Sequence, residues 1–530
     1  MPSPSLPRSV GATLFGRLFA GLLVAAALLA VPAAETGDQP DSSVISRISE
    51  EGLRRSQVMD TLSWLTDVHG ARLTNSPGMF AAATWALARL QSWDLARVSA
   101  EPWGTFGRGW SNDRFTAVVT EPTPWPMLGV PRAWTVGTGG PVTAEAVLAI
   151  IDREEDFRLW TGRLRGRIVL LYRERSVRLG TEPIGRRLSD QELDDMSRQR
   201  PLAGAQPRSY AGIGRQFRRE LFRFLAREGV VAVLEPGAGV GDHGSLLVMG
   251  NEDGRTDESA PAVPEVVVAT EHYGRILRTL ERKVPVRIEL DIRNTFHDQP
   301  REGVNIIAEI PGTDRASEVV MLGAHFDSWH AGTGATDNAA GVAATMEAMR
   351  ILKATGLPMR RTVRLALWTG EEQGLLGSRA YVARHFGSAS EGTATADHGR
   401  LSAYFNMDNG AGAIRGVYLE YNEAVRPIFT SWMTPFATMG MKTTALTGTG
   451  GTDHVPFDQA GLPAFQFIQD PLEYFTFSHH SNLDLYERVP SEDLSRNAVF
   501  IATFVYQAAT RDGLLPRKPG PVTPGGLPKR

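Results

Sequence analysis

The chain has no cysteine, which excludes disulfides, thiolate metal ligands, a cysteine nucleophile and a lipoprotein anchor together. It also lacks a charge excess of either sign. The 56 Lys and Arg against 59 Asp and Glu leave a formal −3, so there is no basic field to release counterions from nucleic acid. Three hydrolase and nucleotide signatures are missing as well. There is no Gly-x-Ser-x-Gly elbow, no His-Glu dipeptide to begin a zincin helix, and no phosphate-cradling glycine motif.

What is present begins with a leader. Arg8 and Arg17 precede the apolar run Leu18 to Val31, followed by Pro32-Ala33-Ala34, the order of a secretory signal peptide over residues 1–33. The run is short for a membrane span. The expectation is therefore a secreted or periplasmic protein with no stable membrane insertion once the leader is cleaved. At 530 residues and 42% hydrophobic content, two folded units with tails are expected.

Residues 46–98 read as helices around a polar loop, Gly70 to Pro77. From 126 to 295 the texture changes to short β-branched runs separated by Gly and Pro: Ala146 to Ile151, Arg167 to Tyr172, Gly229 to Leu234, Glu265 to Ala269 and Val286 to Ile292. This reads as a β-rich insertion. Its arginine run, with Arg215, Arg218, Arg219 and Arg223 interleaved with Phe217, Leu221 and Phe222, predicts an amphipathic helix whose arginines face solvent. After 300 strand and helix patterns alternate: Val304 to Ile310, Val319 to Gly323, a helix Ala339 to Ala354, Val363 to Trp368, Leu401 to Met407, and a last helix Ser491 to Thr510. That alternation predicts an α/β sheet with helices on both faces. The Pro-, Gly- and Lys-rich end, 516–530, is expected to lack fixed structure.

The chemistry concentrates where these strands end, which is where open α/β sheets place their sites. His325 closes one apolar strand, and Asp327 is placed to accept its other imidazole N–H. Asp337 follows a Gly-rich turn and precedes a helix, where taken alone it would read as an N-cap. Glu371 and Glu372 follow Val363 to Trp368, and Asp408 follows Leu401 to Met407. Two adjacent carboxylates can divide labour, one on a metal and one as a general base. A polar loop carries His479 and His480, with Asp484 four residues on, where it could orient His480. Spacing alone does not choose between the two histidines. Asp453, His454, His330 and Tyr474 are further cleft candidates, each more readily explained as a structural polar group. A set of His, Asp, Glu, Asp and His without sulfur suits zinc, with manganese or cobalt as alternatives, and five ligands fit two ions sharing a carboxylate.

At Gly323-Ala-His-Phe-Asp-Ser-Trp329, Leu367-Trp-Thr-Gly-Glu-Glu-Gln-Gly374, Gly451-Thr-Asp453, His479-His-Ser481 and Asp484, the sequence resembles the co-catalytic dinuclear zinc exopeptidases. That family includes secreted bacterial aminopeptidases, glutamate carboxypeptidase and carboxypeptidase Q, and the likeness is strongest to the last. The resemblance implies two zinc ions per chain: His325 and Asp408 on one, Glu372 and His480 on the other, Asp337 bridging, Glu371 as general base and Asp327 in the catalytic set. His480 is preferred because the family has an aromatic residue before its ligand histidine, and His479 stands in that place. The implied fold is a catalytic domain with a central mixed sheet flanked by helices, built from 36–125 and 296–515. A β-rich protease-associated domain, 126–295, interrupts it. The implied partner is a peptide substrate, with a homodimer compatible with the sequence.

The resulting expectation is a metallo-exopeptidase acting on terminal bonds of dipeptides or short peptides. Its rivals are a catalytically inactive binding protein of the same fold, which would be expected to have lost ligands, and a single-zinc cyclase acting on N-terminal glutamine. Which peptide terminus is recognised is not encoded in any motif.

Overall fold

The computed structural model describes residues 39–173, 181, 183–199, 215–237, 244–257, 263–388 and 390–518. The signal-peptide expectation lies outside them. No helix among the described residues is long and apolar enough to cross a membrane.

Among the described residues, two eight-stranded mixed sheets organise the chain. In the first, the strands run in the order Ala96–Thr105, Glu302–Ile310, Arg361–Trp368, Arg315–His325, Leu401–Asn406, Ala464–Gln469, Ile414–Tyr418 and Thr443–Ala445. The four from Arg361–Trp368 to Ala464–Gln469 are mutually parallel, so their carboxyl ends share one edge. Their near-continuous apolar composition is that of strands covered on both faces. One face is covered by Ala340–Thr355 and Ser491–Thr510, helices buried almost all round, together with the N-terminal helices. Leu376–His385 and His454–Gln459 cover the other.

The second sheet runs Trp125–Pro126, Gly109–Glu121, Arg287–His297, Val142–Leu148, Arg167–Leu170, Ala232–Pro236, Glu265–Val268 and Gly129–Pro131. It takes in Gly109–Glu121, upstream of the expected boundary at 126, because that strand pairs antiparallel along the length of Arg287–His297. The partner lies some 170 residues away, and the strand's Asn112, Asp113 and Arg114 hide its alternation of Phe115, Ala117 and Val119 from local reading. Helices line this sheet too, so residues 126–295 are mixed α and β rather than simply β-rich.

Two further expectations need correction. Arg218, on the helix Arg215–Glu228, does not simply face solvent: its guanidinium pairs with the buried Glu235 and Glu265. Residues 516–518 are fixed rather than structureless. Leu515 is buried, the Pro516 carbonyl accepts from Asn422, and Arg517 donates to the carbonyls of His398 and Leu401.

Candidate metal centre

Three parallel strands deliver His325, Glu371–Glu372 and Asp408 to the common edge. Gly334, in a left-handed conformation (φ 63°), starts the turn that brings Asp337 over them. Asp337 is not the cap of the following helix. That role falls to Asn338, whose Oδ1 accepts from the Gly341 N–H and whose amide donates to the Met407 carbonyl. The Asp337 carboxylate is thereby left free to face the imidazoles.

The geometry divides into two groups of donors. Asp337 Oδ1 and Asp408 Oδ1 each lie 3.2 Å from His325 Nε2. On the other side, Asp337 Oδ2 lies 3.2 Å and Glu372 Oε2 2.9 Å from His480 Nε2. One carboxylate thus serves both groups. His479 is set back, with Nε2 3.9 Å from Asp337 Oδ2 and its ring stacked on that of His480 at 3.7 Å. His480 has a left-handed φ of 56°, a conformation costing an L-residue about 1–2 kcal/mol, so the surrounding contacts must hold it.

Two orienting roles differ from expectation. His325 Nδ1 meets the backbone carbonyl of Asp327 at 2.9 Å, which aims Nε2 at the carboxylates, while the Asp327 side chain stands 3.8 Å away. Asp327 instead accepts from Thr74 Oγ1 at 2.8 Å and from the Glu371 and Glu372 N–H groups at 3.3 and 3.4 Å. The reason is rotational: once the backbone carbonyl has taken the imidazole N–H, the carboxylate is free to cap the 371–372 turn. Asp484 does not reach His480. Its carboxylate accepts from Thr336 N, Thr336 Oγ1 and Asp337 N, holding the Asp337 turn.

Arg72 is a site residue that sequence reasoning missed. Its fully buried guanidinium donates to the carbonyls of Leu65, Gly70, Phe326, Thr333 and Gly334, closing the loop between His325 and Asp337. No motif marks a lone arginine in a polar loop, and its five acceptors are main-chain atoms.

Charge at this edge is strongly unbalanced. Asp327, Asp337, Glu371, Glu372, Asp408, Asp453 and Asp484 are all buried, and burial together with their mutual repulsion drives most of them upward. Glu372 and Asp484 are each pushed to about 7 and Asp453 to about 8. Glu371 is raised well above the carboxylate range by burial and by Asp408, Asp453 and Glu372, with His325 opposing. Burial disfavours charge on His325 and His480, yet the facing carboxylates raise both well above the usual histidine value. Burial lowers Arg72 to about 10. Among the described residues, Asp337 Oδ2 and Glu372 Oε1 are buried without a hydrogen-bond partner. Buried carboxylate oxygens lacking donors, beside imidazoles aimed at them, are a donor set suited to cations.

The edge opens into a cleft of about 410 Å³ lined by Asp337, Glu371, Glu372, Asp408, His480, His479, Tyr474, Phe475 and glycines 450 and 451. Tyr474 therefore is a cleft residue. The other three candidates are not among its lining residues. Asp453 accepts from Ser378 Oγ, His454 Nε2 faces Glu420 at 3.2 Å, and His330 Nε2 meets the Pro131 carbonyl.

Comparison with known proteins shows what the chain is similar to. Residues 305–505 match the model described as peptidase family M28. Over 484 residues, 90% of this chain and 90% of its own, carboxypeptidase Q of Pongo abelii is 25% identical. Leupeptin-inactivating enzyme 1 of Streptomyces exfoliatus is 34% identical over 172 residues, 32% of this chain and 36% of its own. Among solved structures, a peptidase M28 precursor from Shewanella amazonensis superposes with a TM-score of 0.64 at 24% identity, covering 90% of this chain and 99% of that one.

Proposed function

We propose that this zinc metallopeptidase, a member of the co-catalytic exopeptidase family near carboxypeptidase Q, is exported and removes terminal residues from dipeptides or short peptides using two zinc ions. The observation that carries the reading is Asp337, whose two oxygens face two separate imidazole–carboxylate groups. His325 and Asp408 would hold one ion, His480 and Glu372 the other, with Asp337 shared. Bound there, such a pair supplies Lewis acidity toward a scissile carbonyl and lowers the pKa of water toward about 7.

The chain's own residues do the rest. Glu371 is buried and lines the cleft beside Glu372 and Asp408, from where its ionised carboxylate can take a proton from the attacking water and return it to the leaving nitrogen. Asp327 fixes the Glu371 backbone, and Tyr474 and Phe475 form an aromatic wall of the cleft. The second sheet corresponds in this reading to the protease-associated insertion, and the leader accounts for export.

Zinc analysis of the purified protein should give two equivalents, and a panel of free and end-blocked dipeptides should show loss of turnover when one particular terminus is blocked. Glu371→Gln should keep its zinc and lose about 10²–10⁴-fold in rate. A single equivalent would favour the cyclase, and zinc without turnover on any dipeptide would favour the inactive binding protein.

A further inference from the structure

The loop that carries His480 is attached to the second sheet's part of the chain rather than only to the first. The Val248 N–H donates to the His480 carbonyl at 3.0 Å, and Leu247 pairs with Ser481 as an antiparallel bridge. Asn482 closes the junction from both sides. Its Oδ1 accepts from the Leu246 N–H at 2.6 Å, its Nδ2 donates to the Gly244 carbonyl at 3.2 Å, and its own N–H donates to the Leu246 carbonyl at 3.2 Å. Leu246 and Val248 are completely buried in one apolar cluster with Val267 and Ala269, at the end of the second sheet's strand Glu265–Val268.

His480 sits two residues from Asn482 in a left-handed conformation, and its ring meets the edge of Trp329. A residue in that conformation persists only where its neighbours over-determine it. His325 has no comparable tie: its strand and its Nδ1 contact belong to the first sheet and the Asp327 backbone.

We infer that Asn482 is a positioning residue through which the second sheet sets the affinity of the ion held by His480 and Glu372, while leaving the His325–Asp408 ion unaffected. This rests on the two-ion reading. Asn482 touches neither ion nor substrate; it acts through the His480 backbone, as partners of metal ligands commonly do with 10–100-fold effects.

The test is zinc titration of metal-stripped protein against a competing chelator, for wild type, Asn482→Ala and Asn482→Asp, with circular dichroism to verify folding. Asn482→Ala should weaken one of the two equivalents about 10–100-fold and leave the other within about twofold. Asn482→Asp, which keeps the acceptor for Leu246 but loses the donor to Gly244, should fall between. If Asn482→Ala does not fold, Asn482→Asp carries the test, with weakening confined to one equivalent as the supporting result. Unchanged binding of both ions, or equal weakening of both, would overturn the inference. Wild-type protein that takes up no second equivalent would instead overturn the two-ion reading.

Discussion

The Asp327 carboxylate turns away from the imidazole two residues earlier and accepts the backbone N–H of Glu371 across the neighbouring strand end. With Glu372 N and Thr74 Oγ1 on its other oxygen, it couples three segments: the His325 strand end, the Glu371–Glu372 turn and the loop before Pro77. Its hold on His325 is through the backbone carbonyl, which any residue would provide.

Asp327→Ala should therefore spare the His325 orientation and loosen the Glu371–Glu372 turn. The expected outcome is a fall in kcat of about 10–100-fold. Any loss of zinc should be confined to the equivalent shared by Glu372. Steady-state kinetics on a dipeptide with parallel zinc analysis separates the two effects, and loss of the His325-side ion would contradict the backbone assignment.

Asp337 faces both donor groups, whereas His325 belongs to one. On the two-ion proposal, Asp337→Ala should lower the retained zinc from two equivalents toward none after gel filtration, and His325→Ala should leave about one. Equal losses in the two variants would remove Asp337 from its shared position.

Much of this arrangement can be read from the chain alone, because strand ends mark themselves. An apolar run that stops at a histidine or carboxylate places His325, Glu371–Glu372 and Asp408 at one sheet edge without coordinates. Helices Ala340–Thr355 and Ser491–Thr510 are equally legible, since long buried periodic segments have few alternatives. What stays hidden depends on long-range partners. Gly109–Glu121 becomes a strand through Arg287–His297, Asp484 serves Thr336 and Asp337 rather than its near neighbour His480, and Asp327 chooses backbone donors over an imidazole. Side-chain rotation and register are set by packing, which spacing does not encode.

His330 supplies a pH dependence separate from the metal centre. Burial lowers its pKa from 6.5 to about 4, with its Nε2 against the Pro131 carbonyl and its ring edge-on to Trp110. The unfolded chain takes up this proton near pH 6.5 and the folded chain only near 4, so the unfolded state binds more protons between these values. Stability therefore falls as pH drops through that window, by at most about 3 kcal/mol from this group. Urea unfolding of metal-stripped protein at pH 7 and pH 4.5 should show the loss, and His330→Gln should reduce it; an identical pH slope in the variant would rule His330 out as its source.

Arg72 allows a distinction between charge and shape. It is surrounded by buried acids whose charges raise its pKa against burial, so it could serve simply as a buried cation, and then Lys would substitute. Its hydrogen bonds argue otherwise, because Nε, Nη1 and Nη2 all donate, and they do so to main-chain carbonyls from Leu65 to Gly334. A planar fork satisfies that spread, and a single ammonium with three donors does not. Arg72→Met takes the guanidinium donors away from the Leu65, Gly70, Phe326 and Thr333 carbonyls, Gly334 keeping the Ala339 N–H, and should cost at least about 3 kcal/mol, given about 1–3 kcal/mol for each unsatisfied group. Arg72→Lys should recover less than half of that loss in the urea midpoint at constant m-value. Full recovery by Lys would mean that charge, rather than the closing of the 326–334 loop by a five-acceptor clamp, is what the site requires of this residue.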